Sequence, residues 1–211
     1  MADHRKRFDR WRRLVPEHTK YLIGQVLGRI VPAFEAAGLT WHGDYAARDP
    51  DEIGANTIPL QIRSGDVWPT VEIHFPGTRR PCFTIHFAAL PGVCRRMGEE
   101  PVPRERAVVV YAPAYFMLCK GRHRNLDGQF GYYWFSPWPK RKLDAEVDTA
   151  AALLPKILRV FRNGIPEEWL THEFGYVSRH VMLMGSWHIL QQMRAKAEQK
   201  SSSRRTKDAR G

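Results

Sequence analysis

The chain has 211 residues, 43% of them apolar, and 33 Lys and Arg against 22 Asp and Glu give it a formal charge of +11 at neutral pH. That length fits one domain with short ends. The apolar share excludes disorder throughout, because enough surface can be buried to offset the entropy of ordering. The longest weakly polar run, 107–119, is shorter than a helix needs to span hydrocarbon and contains Pro113, so no membrane segment is expected.

The N-terminus, MADHRKRFDRWRRLVPEH, has no apolar stretch after its basic residues and no small-residue cleavage site, so it does not read as a secretory signal and a cytoplasmic location is expected. The three cysteines, Cys82, Cys94 and Cys119, show no C-x-x-C spacing and read as small buried hydrophobes. The charge is concentrated at the two ends. Residues 1–20 hold seven basic side chains against three acids, and residues 199–211 hold five against one. The ends therefore carry +8 of the +11. We divide the chain into a basic N-terminal segment, 1–15, a single domain, 16–198, and a Ser-rich basic tail, 199–211, expected to be disordered.

In chain order, Phe8, Trp11, Leu14 and Val15 in a field of arginines predict a short basic helix with an aromatic face. From Pro16 to Ala37, Tyr21, Leu22, Leu27, Ile30, Val31 and Phe34 recur at helical spacing, and Gly38 stands where a left-handed cap belongs. Pro32 predicts a kink or break near Arg29. After Leu39 the period falls to two. Segments 57–63, 67–75, 82–90, 107–119 and 130–136 are rich in β-branched and aromatic residues and are punctuated by turn sequences, so they predict an antiparallel meander. Pro113 predicts a bulge or break in its run.

Helix then returns over 143–162, with Asp144 as N-cap, a bend at Pro155 and a stop at Asn163-Gly164. A short helical piece, 166–174, and a last helix, about 177–198, follow. The expected fold is α+β: a meander sheet of about five strands with N-terminal and C-terminal helices on one face.

Alternation sends Val71, Ile73, Phe75, Phe83, Ile85 and Phe87 to one side and Glu72, His74, Thr84 and His86 to the other. A hairpin that sets Phe75 against Phe83 places Glu72 opposite His86 and His74 opposite Thr84. Gln61 and Arg63 join that side. Two imidazoles and a carboxylate on one rigid face are groups that could bind a divalent metal or act as an acid/base pair. We expect this polar side to face solvent. A one-sided sheet also fills its wet face with such residues for no further purpose.

A second candidate surface combines rings and cations. Arg122, Arg124, Tyr133, Lys140, Arg141 and Lys142 lie close in sequence, and Arg204 and Arg205 sit in the tail. Stacking with phosphate attraction is how single-stranded nucleic acid is held. Other templates fail. The pair His172-Glu173 lacks the second His that a zinc-protease signature needs at 176, which is Tyr176, and no phosphate-loop, dinucleotide-binding, nucleophile-elbow or EF-hand pattern occurs. The acids Glu167, Glu168 and Glu173 argue against a recognition helix there. The acidic loop with Asp44, Asp49, Asp51 and Glu52 reads as a solvated turn.

No cofactor can be named from these residues. The preferred expectation is a binding or accessory module whose partner is an acidic protein surface or an anionic polymer such as nucleic acid. The alternative is a small metal-dependent or acid/base enzyme using Glu72, His74 and His86.

Overall fold

The computed structural model describes residues 4–42, 55–76, 81–94, 100–121, 128–131, 139–170, 172 and 175–184. The first element, α1 (His4–Leu14), is amphipathic in an uneven way: His4 and Phe8 are buried, while Arg5, Lys6, Arg10, Arg12 and Arg13 are exposed. Phe8 meets Trp41 edge-on with ring centroids 5.5 Å apart and lies 6.2 Å from Phe75, which anchors the basic helix to the sheet.

After Pro16, α2 (Glu17–Gln25) passes without a break into a wider π turn, Val26–Ile30, and then into α3 (Val31–Ala36). The kink anticipated at Pro32 takes this form because proline has no N–H to return to the carbonyl four residues back. The amide of Val31 bonds instead to the carbonyl of Val26, five residues earlier. Gly38, at φ +93°, ends the helix, and the amides of Gly38 and Leu39 return to the carbonyls of Glu35 and Phe34.

The strands are β1 (Thr40–Trp41), β2 (Thr57–Gln61), β3 (Trp68–His74), β4 (Cys82–Leu90), β5 (Val93–Cys94), β6 (Val102–Pro103), β7 (Tyr115–Leu118), β8 (Phe130–Gly131), β9 (Gly175–Ser178) and β10 (Val181–Met184). The main sheet runs β1-β2-β3-β4-β7-β10-β9, with β8 also on β4, and its pairs are antiparallel. The chain is thus α+β, as its pattern of periods implied. The run 107–119 breaks at Pro113: a single tight turn, Val109–Tyr111, precedes it and strand begins only at Tyr115.

Two expectations near the C-terminus are corrected. Helix α4 (Pro139–Asn163) begins a full turn before Leu143, so Asp144 lies inside it and is not its N-cap. Proline is well tolerated in that first turn, where its missing N–H costs nothing. The last helix expected from Val177 is replaced by the β9–β10 hairpin. Val181 and Leu183 are buried while Met182 and Met184 are only partly so, an alternation that satisfies a period of two better than a helical stripe. Residues 185–198 of that expectation, 132–136 of the fifth strand and the 199–211 tail lie outside the described residues. Between them, α5 (Glu167–Leu170) follows Pro166.

One face of the sheet, with Ile58, Leu60, Val71, Ile73, Phe75, Phe83, Ile85, Phe87, Phe116, Leu118, Val181 and Leu183, forms the core with Leu22, Ile23 and Ile30, with Phe34 and with Val147, Leu154 and Ile157. Rings pack pairwise across strands, Phe83 on Phe130 at 5.3 Å and Phe87 on Phe116 at 5.5 Å. Each fully buried Phe contributes about 2–3 kcal/mol by leaving water.

Gly131 shows how closely β8 is drawn onto β4. It pairs with Cys82 at φ +143°, and an added Cβ would stand 2.3 Å from the carbonyl oxygen of Pro81 and 2.5 Å from Cα of Cys82. Backbone atoms cannot give way to it. Gly131→Ala is expected to lower the unfolding free energy in urea by about 2–4 kcal/mol. An unchanged midpoint would contradict this packing.

Candidate functional site

The register between β3 and β4 sets Glu72 opposite His86 and His74 opposite Thr84, and Thr57 on β2 stands opposite His74. All these side chains occupy the face away from the helices. That face is not open along its length. A second apolar cluster joins its Trp68, Ala88 and Leu90 to Cys94, Val102, Ala107, Val108, Val109, Tyr111 and Ala112 from the excursion between β4 and β7. This corrects the expectation of a solvent-facing polar side: Glu72 is only 8% exposed. An Oε1 atom of Glu72 accepts the N–H of buried Val109, so the carboxylate ties the covering layer to the sheet.

The imidazoles on the same face are partly exposed. His74 Nδ1 shares a hydrogen bond of 3.0 Å with the Thr57 hydroxyl, and His86 Nε2 shares one of 3.1 Å with the Thr84 hydroxyl. Burial lowers the pKa of His74 from its ordinary value. For His86, burial first and the neighbouring His74 second lower it to about 4, so its ring is neutral at pH 7. A neutral imidazole is competent as a base or a ligand. Among the described residues, however, no group of three or more His, Cys, Asp or Glu is placed to hold a metal ion.

Further along the same face a polar chain continues. Gln61 Nε2 donates to Thr70 Oγ1 at 3.0 Å, and Thr70 Oγ1 donates to the carbonyl of Trp68 at 3.1 Å. Arg63 donates to the Gln61 side-chain oxygen and to His42 Nδ1. Arg104 lies 4.3 Å above the Trp68 ring and donates to the carbonyls of Gly65 and Asp66, closing the β2–β3 turn. These contacts account for Gln61 and Arg63 as structural members of the face.

The basic residues assemble elsewhere. Lys140, Arg141 and Lys142 are exposed in the first turns of α4. Lys140 Nζ stands 5.2 Å over the ring of Tyr21 on α2, and the Tyr21 hydroxyl donates to the Asp144 carboxylate at 2.8 Å, 123 residues away in the chain. That bond raises the Tyr21 pKa, and the phenol stays protonated. On the neighbouring side of α2, Arg12, Arg13, Lys20, Ile23 and Gly24 line a concavity of about 320 Å³ between α1 and α2.

The cations of the N-terminal segment and those at 140–142 are therefore brought together across α2. Sequence reasoning counted Arg12, Arg13 and Lys20 only as charge and placed Tyr21 only on a helical stripe; nothing local in the sequence signals the junction. Arg122, Arg124, Tyr133, Arg204 and Arg205 lie outside the described residues. Another concavity, of about 350 Å³, is lined by Lys156, Arg159, Trp169 and Ser178 among others.

Two consequences of the imidazole face can be measured. The folded pKa of His86 is below its ordinary 6.5, so the unfolded chain binds more protons between those values. Its contribution is complete above about pH 6.5, fades as pH falls towards 4 and changes no further below that. Allowing for its partial exposure, about 2 kcal/mol should be lost across this window. In His86→Gln the unfolding free energy should decline less by that amount; parallel profiles for the two proteins would refute the assignment. Removing the acceptor for a buried amide costs about 1–3 kcal/mol. Glu72→Ala should therefore destabilise the fold to that extent and speed hydrogen exchange at Val109, whereas unchanged protection there would show the tether to be dispensable.

No protein-family model, no curated protein and no solved structure matches this chain.

Proposed function

We propose that this protein binds nucleic acid by phosphate contacts along the surface formed by α1, α2 and the first turns of α4. The observation that carries this reading is the seat of Lys140 on Tyr21, with Tyr21 bonded to Asp144, because it joins the basic first turns of α4 to α2, beside which Arg12 and Arg13 of α1 also lie. A polyanion with evenly spaced charge neutralises such a surface by releasing its own counterions, and several cations acting together are needed for the effect to be large.

The pattern of pairing supports the reading. The acids of this region are engaged within the fold: Asp9 by Arg12, Glu17 by Lys20, Asp144 by Tyr21 and Asp148 by Arg29. Lys6, Arg10, Arg13, Arg141 and Lys142 are exposed with no carboxylate partner among the described residues. Leu14, 81% exposed, is the sole large apolar side chain fully presented in α1. A protein partner needs an apolar centre to its interface, and the surface offers little of one. Phosphate contact without base reading is the chemistry it supports.

Fluorescence anisotropy with a labelled single-stranded oligonucleotide of mixed sequence tests this. The combined substitution Lys140→Ala, Arg141→Ala and Lys142→Ala should weaken binding at fixed salt by about 10- to 100-fold and reduce the steepness of the logarithmic salt dependence by about 2. Equal affinity and equal slope in variant and wild type, or no binding by the wild type, would overturn the proposal.

A further inference from the structure

The concavity between α1 and α2 has an unusual floor. Gly24 lies inside α2, where glycine costs about 1 kcal/mol relative to alanine. Close packing gives no reason for it, since an added Cβ at Gly24 would meet no atom within 4 Å. Its φ is not in the left-handed region either, so no turn requires it. What the missing side chain does is leave the floor low. Above it stands a space of about 320 Å³ walled by Arg12 and Arg13 from the end of α1 and by Lys20 from the preceding turn of α2, with Ile23 beside it.

Three cations line the walls, and two of them are already paired, Arg12 with Asp9 at 3.1 Å and Lys20 with Glu17 at 2.7 Å. Arg13 has no acid partner among the described residues. Guanidinium groups match phosphate oxygens in a planar fork, and an ammonium adds a point charge. The exposed backbone of Gly24, bare of any side chain, offers a surface on which a sugar ring can lie. The volume lies within the range of sites that enclose a small ligand.

We infer that this niche is a seat for one phosphate group with its attached sugar, the point at which a nucleic-acid strand is held in register against the surface. The inference rests on the nucleic-acid reading above and adds to it a particular place. A ridge of cations attracts a polyanion anywhere along its length; a concavity fixes one phosphate, and the spacing of the chain then sets where its neighbours fall.

A substitution that fills the space without changing charge separates the niche from the ridge. Gly24→Leu should raise thermal stability, because leucine favours helix, and should weaken oligonucleotide binding about 10-fold at constant salt. Gly24→Ala, which barely enters the space, should bind as the wild type does. In parallel, titration of the wild type with inorganic phosphate at constant ionic strength should move the amide resonances of Lys20 and Gly24 to saturation, and Gly24→Leu should abolish that response. If Gly24→Leu binds oligonucleotide like the wild type while the substitutions at 140–142 still weaken it, the niche is refuted and the nucleic-acid reading stands. If phosphate saturates the niche but the wild type holds no oligonucleotide, the site is one for a small phosphate and both the strand-register inference and the nucleic-acid reading fail.

Discussion

The pairing of β3 with β4 decides the character of both sides of this molecule. With Trp68 opposite Leu90 and every later pair following in step, Val71, Ile73, Phe83, Ile85 and Phe87 face the helices while Glu72, His74, Thr84 and His86 face away. A slip of one residue would turn imidazoles into the core and phenylalanines out of it, at a cost of several kcal/mol for each exchanged pair. Because that cost is prohibitive, the helices have one surface on which to dock. Helix α1 docks there through Phe8, α2 through Leu22 and Ile23, and α4 through Val147, Leu154 and Ile157. Their outer faces are left to carry charge.

That division separates two sets of polar residues that the sequence presents side by side. The Glu/His face is largely satisfied within the fold: Glu72 holds Val109, His74 holds Thr57 and His86 holds Thr84. Burial first, and His74 beside it second, drive His86 towards the neutral form, which makes the face a source of acid sensitivity. The helical side has the opposite character. Its acids are used to fasten one helix to another or to hold a neighbouring base, and exposed cations remain beyond them. Tyr21 is the hinge of that arrangement, since its ring supports Lys140 and its hydroxyl holds Asp144 on the same helix.

Much of the fold was legible because the signals were local and strong. Strict alternation in VEIHF and CFTIHF, with six residues between them, was sufficient to give the register residue by residue. Pro32 and Pro113 marked disturbed backbone, although a proline says only that the regular hydrogen bond is lost and not whether a π turn or a new element replaces it. The β9–β10 hairpin was missed because Val177, Val181 and Met184 also fit helical steps, and the neighbour that settles the matter, β7, is more than fifty residues earlier in the chain. The cover over Trp68 and Leu90 was missed for a related reason: residues 100–114 have little regular structure, and only their contact with the sheet shows that Val108 and Val109 are interior. The basic niche depends on the angle between α1 and α2, which no spacing of Arg12, Arg13 and Lys20 encodes.

The central claim is that the helical side, and not the imidazole face, meets nucleic acid. Mapping amide shifts on addition of a single-stranded oligonucleotide tests it most directly. The account predicts that the changes gather at Arg12, Arg13, Lys20, Tyr21 and 140–142, with Thr57, His74, Thr84 and His86 unmoved. Changes centred on that second group, with the helical surface silent, would contradict it.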